Sequence, residues 1–308
     1  MERNSRIENV SIVGMGALGL MYGSVLADGL GIDAVSFVMD EERIARYKDE
    51  TYTVNGRPVK FKLVSEKEAR PADLLMMAVK YPSLSRALET MKNAVDGHTV
   101  VMSVMNGIST EEIIRDHFGH ERFIYTVPQG MDAQKYGSTL TFTKMGALHI
   151  GVKEGGDKEA LDAVIQLFER TGMPYILEED IIRRMWITFM LNVGINQVCM
   201  AYNETYAVTD KDNEAHRTLI AAMREVEVLA QAEGIPLNEK DLNFCLDLER
   251  TLDPDATPSM GQDRINRKPS EVELFAGTVI ALAEKHGIEV PANRYLRSLV
   301  KEIEKEYV

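Results

Sequence analysis

The sequence predicts an α/β half built on a doubly wound parallel sheet, followed by an all-helical half. Three observations carry this reading. An apolar, β-branched run at residues 10–13 breaks into Gly14, Gly16 and Gly19 at the G-x-G-x-x-G spacing, and a helical apolar pattern through Leu20, Val25 and Leu26 follows. Short apolar runs then alternate with helical patterns, the signature of parallel strands joined by crossover helices. From Glu179 onward the alternating stretches all but end and long helical segments take over. The expected division is therefore 1–178 for a dinucleotide-binding, Rossmann-type domain and 179–308 for a helical domain.

Each residue type in the opening turn has a physical role. The first glycine permits a sharp turn, the second lets backbone approach a pyrophosphate, and the third lets the helix pack closely on the strand. The N–H groups at the helix start, spanning Gly14, Met15, Gly16, Ala17, Leu18 and Gly19, then face the phosphate. Residues 34–38 read as the second strand, ending at Asp40, 21 residues after Gly19. An acid there either bonds the ribose 2′-hydroxyl of NAD or caps the next helix, and both readings stand. Arg43 and Arg46 lie one turn further on. Residues 51–54 and 59–63 around Asn55-Gly56 predict a hairpin decorating one sheet edge. The runs 73–79 and 98–104 are apolar throughout and read as buried central strands, ending at Lys80 and at Asn106-Gly107; Ser109 or Thr110, with Glu112, then opens a helix. Residues 122–127 give a further strand, 138–143 and 147–150 a paired β unit, 158–170 an amphipathic helix and 175–177 a closing strand. Gly14, Asp40, Lys80 and Asn106 all fall at carboxyl ends of strands, where ligands of such sheets collect.

Composition bounds the function. The 308 residues suffice for two domains, and no apolar run approaches the ~20 residues of a membrane span. The polar N-terminal residues lead straight into the first strand without an apolar signal segment, so a cytoplasmic protein is expected. A net charge of −13 argues against nucleic acid as a partner. Cys199 and Cys245 sit in apolar helical patterns and read as buried small hydrophobes rather than a disulfide or a metal site.

Helices are expected over 181–200, 214–233, 239–251, 271–286 and 293–305. In the first, apolar residues fill most of the circumference, yet Thr188, Asn192 and Asn196 stand at i, i+4 and i+8 and share a face. Burying an unpaired amide costs ~1–3 kcal/mol, so this stripe requires partners, either neighbouring helices or a ligand. The segment from Thr257 through Ser259 to Ser270-Glu271 is a loop dense in small and polar groups, able to close over a substrate; Glu271, capped by Ser270, also suits a helix N-terminus.

At these residues the chain resembles the ketopantoate reductase (2-dehydropantoate 2-reductase) family over essentially its whole length. The resemblance is carried by the Gly14 to Gly19 turn, Val79-Lys80, Met105-Asn106-Gly107, Trp186 with Asn192 and Asn196, and Ser259 spaced eleven residues from Glu271. It implies reduction of a small 2-oxo acid, ketopantoate to pantoate, with NAD or NADP, in a site between the two halves. It further implies that Asn192, Asn196 and Ser259 hold the acid's carboxylate and hydroxyl, that Glu271 lies in the substrate site, and that Lys80 and Asn106 lie beside the cofactor. Family members carry a lysine two residues after the tryptophan, where this chain has Thr188, marking it as atypical. A threonine hydroxyl orients a carbonyl or water but supplies no charge to a forming alkoxide. Lys80 is the candidate substitute, or else an ordinary surface lysine. Members also carry an arginine near Asp40 for the 2′-phosphate, and the lack of one implies a preference for NAD. The alternatives are a reductase of a different 2-oxo acid, or a dinucleotide-binding sensor or interaction protein without chemistry. The long apolar helices leave room for a homodimer.

Overall fold

The computed structural model describes residues 6–119 and 121–307. The chain divides into two compact units, Met1–Ile182 and Arg183–Val308. The expectation put the change at 178; the units part instead inside the first turn of a long helix.

The first unit is laid out around β1 (Val10–Val13), whose residues are buried on both faces because parallel neighbours and crossover helices cover it. The helix α1 (Ala17–Leu30) follows, then β2 (Val35–Met39) and α2 (Glu41–Tyr47). Three short strands come next, β3 (Tyr52–Val54), β4 (Arg57–Val59) and β5 (Lys62–Ser65). They are followed by β6 (Leu74–Met77), α3 (Leu84–Met91), β7 (Val100–Ser103), α4 (Thr110–Phe118) and β8 (Phe123–Met131). The unit closes with β9 (Gln134–Tyr136), β10 (Thr139–Thr141), β11 (Met145–Gly151), α5 (Lys158–Thr171) and β12 (Tyr175–Leu177). The main sheet has the order β12-β11-β8-β7-β6-β1-β2-β5. Only β11 and β8 run antiparallel in it. The chain proceeds to one side of β1 through β2 and β5, then to the other through β6, β7 and β8, which is the doubly wound arrangement expected. Val13 is in register with Val38 and with Met77, and Met77 with Ser103, so four strands end level with one another.

Two β expectations need correction. The Asn55-Gly56 hairpin forms, with both residues at positive φ, but it lies in a second, four-stranded sheet of order β4-β3-β10-β9. Its second limb splits: Phe61 leaves the run and packs edge-on against Phe37, ring centroids 4.9 Å apart, and β5 continues on the main sheet. The segments expected to pair at 138–143 and 147–150 belong to different sheets. The Asp132 carboxylate accepts from the backbone N–H of Thr143 and Lys144 and closes the bend that sends β11 to β8.

The second unit consists of α6 (Ile181–Tyr202, which begins in the first unit), α7 (Glu214–Ala232), α8 (Glu239–Arg250), α9 (Ser259–Ile265), α10 (Thr278–His286) and α11 (Pro291–Lys305). α6 is buried over most of its surface, as a helix with apolar residues around most of its circumference must be. Two differences from the sequence reading stand out. Residues 259–265 form a short helix rather than a loop, and the expected helix over 271–286 opens as a π-helical turn, Glu273–Gly277, before α10. That turn seats Phe275 against Phe189, centroids 6.4 Å apart.

Candidate functional site

The glycine turn has the three-part form that the spacing implies. Gly14 sits at φ 110°, and a Cβ there would lie 2.3 Å from the Ala78 carbonyl oxygen of the strand end beside it. A Cβ on Gly19 would lie 2.0 Å from the Gly14 carbonyl oxygen. Gly16 differs: the nearest atom to its absent Cβ is 4.0 Å away, and it precedes α1 without any side-chain cap. The first and third glycines are thus closed by backbone, whereas the second opens a concavity beside uncapped helix N–H groups. That cradle fits a dinucleotide pyrophosphate. Met15, Ala17 and Leu18, the other residues of the turn, are half-buried and pack against the hydrophobic core.

At the end of β2 the Asp40 carboxylate accepts from the backbone N–H of Arg43 at 2.8 Å and so caps α2. It also lies 3.5 Å from Arg86 Nη2 and 3.7 Å from Arg43 Nε. Partial burial works to raise its pKa, yet the Arg43 N–H and the two guanidiniums together hold it below the usual carboxylate value. Two guanidiniums therefore stand beside Asp40, one of them from outside its own segment. Arg86 arrives from α3, 46 residues along the chain, and is itself bound to Glu66 at 3.2 Å.

Lys80 is exposed, three residues past the end of β6, and precedes a one-turn helix. Asn106 is half-buried past the end of β7, followed by Gly107 at φ 101°. Ser109 stands at the N-cap of α4, but its hydroxyl makes no cap bond and is buried without a partner. Next to it lies a group that the sequence did not reveal. Glu111 is fully buried; Thr110 Oγ1 donates to its Oε2 at 2.8 Å, and its Oε1 has no partner. Burial pushes its pKa up to about 8.

In the helical unit, α6 and α9 bring Asn192, Asn196 and Ser259 into one hydrogen-bonded cluster. Asn196 Nδ2 donates to Asn192 Oδ1 at 3.1 Å, and Asn196 Oδ1 accepts from Ser259 Oγ at 2.8 Å and from the Met260 backbone N–H at 3.1 Å. Asn196 is buried, Asn192 half-buried and Ser259 exposed, so the cluster runs from core to surface. Thr188 lies one turn before Asn192, half-buried. Trp186, on the same helix, packs edge-on against Phe189, ring centroids 6.1 Å apart. Glu271 is buried where the chain enters the π turn, its carbonyl accepting from Phe275 N at 3.2 Å. Cys199 and Cys245 are buried and free, and burial pushes both thiols up. Among the described residues no cluster of His, Cys, Asp and Glu is arranged to hold a metal, and no helix is long and apolar enough to cross a membrane.

Residues 10–155 match the family model described as "Ketopantoate reductase PanE/ApbA", and residues 180–304 match "Ketopantoate reductase PanE/ApbA C terminal". The 2-dehydropantoate 2-reductase of Streptococcus pyogenes is 24% identical over 296 residues, covering 94% of this chain and 96% of that protein. Among solved structures, a D-mandelate dehydrogenase with NADH and anilino(oxo)acetate has a similar fold, with a TM-score of 0.84, 22% identity and coverage of 97% and 99%. A dimeric ketopantoate reductase from Staphylococcus aureus is also similar, with a TM-score of 0.79, 19% identity and coverage of 97% and 100%.

Proposed function

This chain belongs to the ketopantoate reductase family, and we propose that it reduces a small 2-oxo acid with NADH or NADPH, 2-dehydropantoate to pantoate being the first reaction to try. The observation that carries the reading is the Asn192–Asn196–Ser259 cluster, a polar site open to the surface on a mostly apolar helix. The first unit takes the cofactor through the Gly14–Gly19 turn, with Asp40 facing the adenosine ribose, and the second takes the acid. Asp40 keeps its charge and opposes a 2′-phosphate, which favours NADH; Arg43 and Arg86 temper that preference.

When bound, the reduced nicotinamide supplies hydride to the carbonyl carbon. The cluster of the second unit holds the acid's carboxylate and hydroxyl, Asn106 adjoins the nicotinamide and Glu271 lies in the substrate site. The carbonyl oxygen gains negative charge as hydride arrives and requires a proton or a cation. Thr188 orients the carbonyl or a water; Lys80 brings the ammonium. Lys80→Ala then abolishes hydride transfer and leaves cofactor affinity intact, and unchanged turnover rejects that role. The protein acts as a homodimer in the cytoplasm, in pantothenate biosynthesis. Support for the dimer comes from the dimeric relative.

Thr188 favours one competing reading, a reductase of another 2-oxo acid, because it alters the substrate end of the site. The deciding experiment follows the absorbance of NADH and NADPH with ketopantoate and a panel of 2-oxo acids. Fastest oxidation with ketopantoate supports the first reading, and fastest oxidation with another acid supports the second. Cofactor binding without oxidation by any acid rejects both and leaves a dinucleotide-binding protein without chemistry.

A further inference from the structure

We infer that Glu111 is a positioning residue: enclosed as the neutral acid, it fixes the first turn of α4 and, through it, the Asn106-Gly107 turn that precedes the helix. That Asn106 adjoins the reduced cofactor rests on the function proposed above, whereas the coupling of Glu111 to the turn stands on the first unit alone.

The path between them is short. β7 ends at Ser103 and α4 begins at Thr110, so residues 104–109 alone join them. The strand end of this segment is tied by hydrogen bonds, Val104 N–H donating to the Met77 carbonyl at 2.9 Å and Met105 N–H to Ser103 Oγ at 3.3 Å. The helix end lacks the usual tie. A serine at the N-cap ordinarily accepts from an N–H two or three residues on, yet the Ser109 hydroxyl makes no such bond and is buried without a partner. The Thr110 hydroxyl is turned to Glu111 instead. What holds this end is enclosure, since Thr110, Glu111 and Ile114 are all fully buried.

The two adjacent acids are treated differently. Glu112 accepts from the Tyr125 hydroxyl of β8 at 2.5 Å, pairs with Arg115 one turn on, and has Lys153 Nζ at 3.8 Å. Glu111 receives the Thr110 hydroxyl on one oxygen, and the other has no partner among the described residues. Burial pushes Glu111 up to about 8, outweighing that hydroxyl and its own backbone N–H, and the charge on Glu112 adds to the effect. Burial raises the Tyr125 phenol as well, so it keeps its proton over the same range. Rising pH therefore places a charge in an enclosure that has no cation for it. The enclosure must admit water, and the end of the turn without a cap is the one released.

The test is a fluorescence titration of the full chain with NADH from pH 7 to pH 9. With only the neutral form competent, about one tenth of the protein binds at pH 9, so the wild-type dissociation constant is expected to rise about tenfold. Glu111→Gln keeps an uncharged side chain of the same shape and is expected to hold its pH 7 affinity throughout. Equal pH dependence in the two proteins overturns the inference. A second measurement uses no ligand: amide exchange at Ile113, whose N–H bonds the Ser109 carbonyl at 3.1 Å, expressed as a protection factor to remove the intrinsic effect of pH. Protection is expected to fall in wild type over this range and to stay level in Glu111→Gln. Constant protection in wild type overturns the inference, whether or not the variant folds. The expected fall in a chain that binds no NADH supports the coupling and fails only the proposed function.

Discussion

Replacing Glu111 by glutamine exchanges one oxygen for an NH2 group and removes the ionisable hydrogen of a fully buried side chain. In the fold burial pushes this carboxyl up to about 8 from an ordinary value of 4.5, outweighing the hydrogen bond from the Thr110 hydroxyl that favours the charge. Between those values the folded protein holds the proton and the unfolded chain has lost it, so unfolding releases a proton and rising pH favours the unfolded state. The stabilisation from this group is complete below about pH 4.5 and is lost as pH climbs through about 8. Each pH unit removes about 1.4 kcal/mol, so over the whole window the first unit loses on the order of 4–5 kcal/mol, a sizeable part of a domain's total stability. The assay is urea unfolding at pH values across this window for wild type and Glu111→Gln. Trp186, the only tryptophan, lies in the second unit and reports it separately by fluorescence, while far-UV circular dichroism follows both. Wild type should weaken with pH at the first-unit transition, and the glutamine variant should weaken markedly less. Parallel pH dependences in the two proteins would refute the argument. Glu112→Gln serves as the control, since Glu112 is partly exposed and paired with Arg115.

Three further outcomes are expected. Gly16→Ala adds a methyl where the nearest atom is 4.0 Å away, so the fold should persist while the cofactor's dissociation constant rises by about tenfold or more; Gly19→Ala, whose methyl would lie 2.0 Å from the Gly14 oxygen, should lower the melting temperature itself. Asp40→Asn retains the cap on α2 but removes the charge, and fluorescence titration should show the affinity ratio moving toward NADPH by about tenfold; an unmoved ratio excludes Asp40 as the selector. Thr188→Lys restores a cation on the polar face of α6 and should raise kcat by about 10²–10³, with cofactor affinity constant; no gain means that another group already supplies the charge.

Much of the fold was legible because its determinants are local. The apolar runs of β1, β6 and β7 need no partner to be recognised, and the three glycines mark their own turn. The Asn55-Gly56 turn was readable, but the fate of its second limb was not, because Phe61 is drawn out by Phe37, a contact absent from any local pattern. The α9 helix escaped notice since seven residues containing a glycine show no apolar period, and its start is fixed from outside by Asn196. In the first unit, Asp40 was found as a strand-end acid, yet Arg86 lies 46 residues away and meets it only through the packing of α3. Thr188, Asn192 and Asn196 were visible as a stripe because helical spacing is a sequence property. Which of them donates and which accepts was not, since that depends on one N–H of Met260. Glu111 is an acid in the first turn of a helix, the commonest of placements, and nothing in its neighbours announces that it is buried.

The contact between Gly14 and Ala78 makes the glycine turn and the end of β6 a single mechanical piece. Lys80 stands two residues beyond Ala78, so a substitution at either Gly14 or Ala78 displaces the phosphate cradle and the lysine together. Kinetic changes from backbone-altering variants at those positions will therefore mix cofactor affinity with whatever Lys80 contributes. Only changes confined to the lysine's own side chain can separate the two.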